Sequence, residues 1–140
     1  MSDRFFLDTN IFVYASDGTS PAKAKRAEAL MREAVTTQKG VVSYQVVQEF
    51  FNLALRRFSQ PMTLTEAEQY LQAIFSPLLA IHSSSALYAE ALHIQQRYRL
   101  SWYDTLIVAA AAEAECRILY SEDFQDGQRF GQIRVKNPFV

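Results

Sequence analysis

The chain has 140 residues, a length that suits one domain with a core able to stand without disulfides or structural metal. Its composition is 49% hydrophobic and 21% charged, with 4 Gly and 4 Pro, which excludes a long disordered or low-complexity region. A net charge of −1 excludes a general basic coat for nucleic acid, and the single cysteine excludes an intrachain disulfide or a thiolate metal cluster.

Phe5–Leu7 is a short apolar run that stops at Asp8-Thr9-Asn10, the pattern of a buried strand. A helix is expected to start over Ile11–Ala15. Asp17-Gly18-Thr19-Ser20-Pro21 is a turn cluster, and Pro21 suits the first turn of a helix through Lys23–Val35. Gly40 punctuates before a β-branched strand at Val41-Val42. Ser43 is placed to cap a helix from about Tyr44 to Phe58, with Val46, Phe50, Leu53 and Ala54 on its buried face. Thr65 and Glu68 fit a capping box for a helix that runs to about Phe75 and ends at Pro77.

Leu78–Ile81 reads as a third strand, and Ser83–Ser85 precede a helix from about Ala86 to Tyr98. Ser101 opens a strongly apolar helix from Trp102 to about Glu115. Arg117–Tyr120 reads as a fourth strand, residues 122–131 as a polar loop, and Ile133-Arg134-Val135 as a last strand closed by Asn137-Pro138. The strands are continuously apolar and alternate with helices. That predicts an α/β fold, a three-layer sandwich with a short, mostly parallel sheet flanked by helices, in a single domain over 1–140. No leader and no membrane-spanning run are expected, so a soluble cytoplasmic protein is expected.

In parallel sheets, ligands bind outside the carboxyl ends of the strands. Asp8 follows the first strand and Asp123 the fourth. Glu49 rides the helix that Ser43 opens, and Asp104 lies in the first turn of the apolar helix. Each has a plainer reading: Asp8 as a helix cap, Asp104 as the capping-box partner of Ser101, Asp123 as an Asx-turn, Glu49 as a solvated edge residue. Together they are more informative, because carboxylates gathered at one sheet edge repel and either raise one another's pKa or require cations. Hard divalent ions with oxygen ligands meet that need. His82 and His93 lack a ligand-pair spacing, so magnesium or manganese is expected rather than zinc.

These residues fall in recognisable motifs. Phe6-Leu7-Asp8-Thr9-Asn10-Ile11 resembles the opening motif of PIN domains, and Ser43-Tyr44-Gln45-Val46-Val47-Gln48-Glu49-Phe50 resembles their second. Trp102-Tyr103-Asp104-Thr105-Leu106-Ile107 resembles the third, and Leu119-Tyr120-Ser121-Glu122-Asp123-Phe124 the fourth. The resemblance runs from residue 5 to Asn137-Pro138-Phe139. It implies a PIN-like fold and an endoribonuclease that uses Mg2+ or Mn2+ held by Asp8, Glu49, Asp104 and Asp123. Asn10 and Ser121 would orient ligands or the attacking water. Asp126 occupies a position that is acidic in only some relatives and is a secondary candidate metal ligand. The chain is similar to the small toxins of VapBC-type toxin–antitoxin modules, which implies an RNA substrate, an antitoxin protein as partner and a homodimer.

Three other readings compete. A different metal-dependent hydrolase could act on DNA or on a small phosphate ester. A PIN fold could bind RNA or a partner without cutting. A phospho-receiver module also combines a small α/β fold with acidic strand ends, and Lys136 near Pro138 fits it. Its phosphorylatable Asp would end the third strand, where this chain has Ile81-His82-Ser83. Arg56, Arg57, Arg97 and Arg99 read as solvated helix ends, Cys116 as a buried small hydrophobe, and Trp102 with the many Phe residues as core.

Overall fold

The computed structural model describes residues 2–140. Six strands form one sheet: β1 (Phe5–Leu7), β2 (Gly40–Ser43), β3 (Leu79–Ile81), β4 (Ile118–Tyr120), β5 (Arg129–Phe130) and β6 (Ile133–Lys136). Their order is β3-β2-β1-β4-β6-β5, and every neighbouring pair is parallel except β5 with β6. Phe6 pairs with Val41 on one side and Leu119 on the other. All three residues of β1 are buried, as a strand covered on both faces requires.

From β1 the chain builds outward through β2 to β3, then returns to lay β4 on the other side of β1. The boundary between β1 and β4 is therefore the topological switch point, where loops leave in opposite directions and open a crevice. The Asp8 N–H donates to the Tyr120 carbonyl at 3.0 Å, so the ladder runs one residue past both strands. That bond sets Asp8 beside Ser121.

The helices are α1 (Thr9–Asp17), α2 (Pro21–Thr37), α3 (Tyr44–Ala54), α4 (Leu64–Tyr70), α5 (Ser76–Leu78), α6 (Ser85–Arg97) and α7 (Trp102–Glu113). A π-helical turn over Leu71–Phe75 joins α4 to α5. Right-handed crossovers put the β1–β2 and β2–β3 helices on one face, and the returning α6–α7 pair on the other. The contacts agree: α1 packs on α2 and α3, while α6 packs on α7. Phe50 anchors the first face, ringed by Phe51, Phe58, Tyr70 and Phe75 at 4.7–5.8 Å between centroids. In α7 the run from Thr105 to Ala111 is wholly buried, which explains its lack of a polar stripe. Cys116 is buried in the core as expected, and burial pushes its thiol up to about 12.

Close packing also fixes a glycine. A Cβ on Gly40 would fall 2.2 Å from the Ala34 Cβ, so α2 lies on the start of β2 only because that residue has no side chain.

Several boundaries differ from expectation. Helix α3 ends at Ala54 rather than near Phe58. The capping box is formed by Thr63 and Glu66, not Thr65 and Glu68: Thr63 Oγ1 accepts from the Glu66 N–H at 3.1 Å, and Glu66 Oε1 accepts from the Thr63 N–H at 2.9 Å. Pro77 does not stop the chain's helical path. It lies in the first turn of α5, where its missing N–H is not needed. The supposed loop over 122–131 contains β5, folded back on β6 through Gly131 at φ +60°. Trp102 is not core but 37% exposed. Among the described residues, no helix is long and apolar enough to cross a membrane.

Candidate functional site

Asp8 is the fixed point at the switch point, only 4% exposed. It caps α1, with Oδ1 accepting from the Thr9 N–H at 2.7 Å. Its Oδ2 accepts from the Ser121 hydroxyl at 2.7 Å. Ser121 Oγ is fully buried and in turn accepts from the Asp123 N–H at 3.1 Å. The capping role and the site role of Asp8 are thus compatible, one oxygen serving each. Burial raises the Asp8 carboxyl to about 7. The bonds from Ser121 and Thr9 oppose that rise, and the charges of Asp123 and Glu49 add to it.

Glu49 and Asp123 act on Asp8 electrostatically, and Asp104 acts on both of them. Partial burial raises Glu49; Gln45 beside it opposes, and Asp123 and Asp104 add. Partial burial also raises Asp123; Asp104 and Glu122 add, while the nearby Asn10 amide opposes. Both side chains still reach solvent. Ser101 caps α7 by accepting from the Asp104 N–H at 3.1 Å. No return bond from the Asp104 carboxylate closes a capping box, which leaves that carboxylate for the site. Among the described residues, none of the four acids forms an ion pair.

The atoms around them are also underused. Asn10 buries its amide oxygen and nitrogen without a partner at hydrogen-bond length, as do the Thr9 and Ser43 hydroxyls. Buried polar atoms are normally bonded, so orphans grouped at one sheet edge point to a missing ligand or water. Ser43 stands at the cap position of α3 but makes no side-chain cap bond. An all-oxygen donor set carrying excess negative charge suits a hard divalent cation. Among the described residues, however, no three acidic, histidine or cysteine side chains stand within joint reach of one ion. Asp8 is held in place by its hydrogen bonds, whereas Glu49 and Asp123 are exposed.

Asp126 stands apart. Its Oδ1 accepts from the Asn137 N–H at 2.9 Å and ties the loop to the end of β6. It is not among the charges that shift Asp8, Glu49 or Asp123. Two residues near the site had gone unremarked in the sequence. Gln45, one helical turn before Glu49, is buried and donates from Nε2 to the Tyr103 carbonyl at 3.2 Å. Its i, i+4 spacing from Glu49 was the available signal. Glu122 accepts from the Tyr14 hydroxyl and pairs with Lys23 at 3.1 Å, clamping the loop that carries Asp123.

The PIN domain model matches residues 5–128, the span that carries all four acids. The chain belongs to the PIN-domain family. No curated protein matches it significantly in sequence. Solved structures do match in fold. A toxin–antitoxin complex from Klebsiella pneumoniae superposes with a TM-score of 0.66 at 19% identity, over 95% of this chain and 96% of that one. The Mycobacterium tuberculosis toxin VapC20, described as cleaving the sarcin–ricin loop, gives 0.65 at 19% identity over 93% and 98%. VapBC2 of Rickettsia felis, bound to a promoter DNA fragment, gives 0.63 at 16% identity over 95% and 97%. At these identities the likeness is one of fold. PIN membership sets the receiver reading aside, consistent with a β3 that ends in Ile81 and leads to His82 and Ser83.

Proposed function

We propose that this PIN-domain protein is a metal-dependent endoribonuclease, the toxin of a type II toxin–antitoxin pair acting in the cytoplasm. The observation that carries the reading is buried Asp8 at the switch point, with Glu49 and Asp123 near enough to raise its carboxyl, Asp104 near enough to raise theirs, and, among the described residues, no basic side chain paired to any of the four. A buried carboxylate without a basic partner either keeps its proton or needs a cation to ionise, and acids beside it strengthen that need.

Asp8, Glu49, Asp104 and Asp123 would hold Mg2+ or Mn2+. Such an ion supplies positive charge that offsets the phosphodiester's negative charge and makes water more acidic. Ser121 and the Thr9 N–H hold the Asp8 carboxylate in one orientation, so its position is set before any ligand arrives. Glu122, clamped by Tyr14 and Lys23, steadies the loop of Asp123. Asn10 presents an unbonded amide to the same edge, suited to orient water or a phosphoryl oxygen. Asp126, bonded to Asn137, takes no part.

The antitoxin reading has a surface to support it. A groove of about 410 Å³ between α1, α2 and the π-helical turn is lined by Ala15, Met31, Val35, Tyr70 and Ile74, with Glu28 and Arg32 at its rim. That composition suits the apolar stripe of a partner helix. Homodimerisation belongs to the same proposal.

The test offers the purified protein RNA, DNA of the same sequence and a simple phosphodiester, each with magnesium. Cleavage of RNA alone supports the proposal. Preferential cleavage of DNA or of the simple ester rejects it, and tight RNA binding with no cleavage favours a binding role.

A further inference from the structure

Four aromatic side chains gather beside the acids. Tyr44 opens α3, Tyr88 lies in the first turn of α6, and Trp102 and Tyr103 begin α7. The hydroxyls of Tyr44 and Tyr88 are 3.5 Å apart. The rings of Tyr88 and Trp102 are near parallel, tilted by 28° with centroids 6.5 Å apart, at the long end of aromatic contact. Tyr103 is 68% exposed, and Tyr88 and Trp102 are exposed as well. Isolated exposed aromatics need no explanation, but a contiguous group of them does.

The group is continuous with the site. Gln45 donates to the carbonyl of Tyr103, the residue before Asp104, and lies against Glu49. The shelf and the acids therefore share α3 and α7. None of the four rings carries a formal charge, and burial together with Tyr88 pushes the Tyr44 phenol up to about 12. Neutral flat rings with polar edges suit the face of a nucleobase better than a phosphate, and better than an aliphatic protein surface.

We propose that Tyr44, Tyr88, Trp102 and Tyr103 form a stacking platform for unpaired nucleobases of the RNA strand that reaches the carboxylates. The inference rests on the ribonuclease reading and adds how substrate is chosen. Bases stack on such a shelf only when they are turned out of a duplex, so single-stranded or looped RNA is selected by shape. Every base has a π face, so the platform itself tolerates many sequences. Leu92, 55% exposed one turn after Tyr88, widens the exposed apolar patch, and a second copy of this chain is the competing occupant.

Trp102 is the sole tryptophan, so its emission reports on the platform directly. The experiment uses Asp104→Asn in EDTA to suppress cleavage. Three ligands are titrated: an unstructured RNA oligonucleotide, the same strand annealed as a duplex, and the same strand with abasic sites. The single strand is expected to quench Trp102 saturably, and the duplex and abasic strands to leave it unchanged. Tyr103→Ala in that background should weaken binding by roughly tenfold, within the range for loss of one base stack. Leu92→Ser should leave the titration as it was. Equal quenching by duplex, or no quenching, overturns the proposal. So does emission that tracks protein concentration and responds to Leu92→Ser, which assigns the patch to a second copy. Magnesium-dependent cleavage by the wild-type protein is measured alongside. Cleavage with an unresponsive Trp102 removes the platform alone, and loss of both removes the ribonuclease reading too.

Discussion

Replacing Asp8 with Asn should make the metal-free protein less sensitive to alkaline pH. Burial raises the Asp8 carboxyl from 3.8 to about 7. The folded state therefore holds this proton more tightly than the unfolded state. The stabilisation from that difference is fully present below about 3.8 and is lost as pH rises through about 7. At ~1.4 kcal/mol per pH unit, ionising Asp8 costs up to about 4 kcal/mol of stability above pH 8. Asn cannot ionise. Its single acceptor oxygen cannot serve both Thr9 and Ser121 as well as the carboxylate does, a loss of ~1–3 kcal/mol that is independent of pH. The difference between variant and wild type should therefore change by up to about 4 kcal/mol between pH 4 and pH 8, in favour of the variant at pH 8. Glu49 and Asp123 are raised in both proteins, so their contribution largely cancels. Urea denaturation in EDTA across that range measures the difference. Added magnesium should restabilise the wild type at pH 8 by binding only the folded state, and should do far less for the variant. Parallel pH profiles for the two proteins would refute the reasoning.

Three further outcomes are expected. Ser121→Ala removes a donor that holds Asp8 down, so the Asp8 carboxyl should rise further, visible in its carboxyl NMR titration, with ~1–3 kcal/mol of stability lost at neutral pH. Gly40→Ala drives a methyl into Ala34 and should cost ~1–3 kcal/mol by chemical denaturation, without changing metal affinity. Asp126→Asn should leave metal affinity and cleavage within about twofold of wild type, against a loss of roughly tenfold or more if Asp126 were a ligand; titration with Mn2+ followed by electron paramagnetic resonance separates the two.

Much of this was legible because the sheet is buried on both faces. Phe5–Leu7, Val41-Val42 and Ile118–Tyr120 advertise themselves as apolar runs, and the polar residues that end them mark the carboxyl edge. β5 was illegible because a two-residue strand takes its conformation from β6 rather than from its own sequence. Thr63 and Thr65 each have a Glu three residues on, so sequence spacing cannot choose between the boxes; the path of the preceding loop does. Trp102 looked like core because hydrophobicity does not reveal which way the first turn of α7 points. Of the candidate site, the placement of the strand-end acids could be read directly. The separate place of Asp126 depends on its bond to a residue at the far end of the chain. Gln45 was hidden because an amide on a helix carries no signature of its own; its bond to the Tyr103 carbonyl depends on the placement of α3 beside α7.

The most direct test of the central claim is cleavage of a panel of fluorescent RNAs by the wild-type protein in magnesium, manganese or EDTA, beside Asp104→Asn purified identically. Cleavage is expected to require either metal, to stop in EDTA and to be lost in the variant while its fold is retained. Cleavage that survives EDTA, or an Asp104→Asn protein as active as wild type, would contradict it.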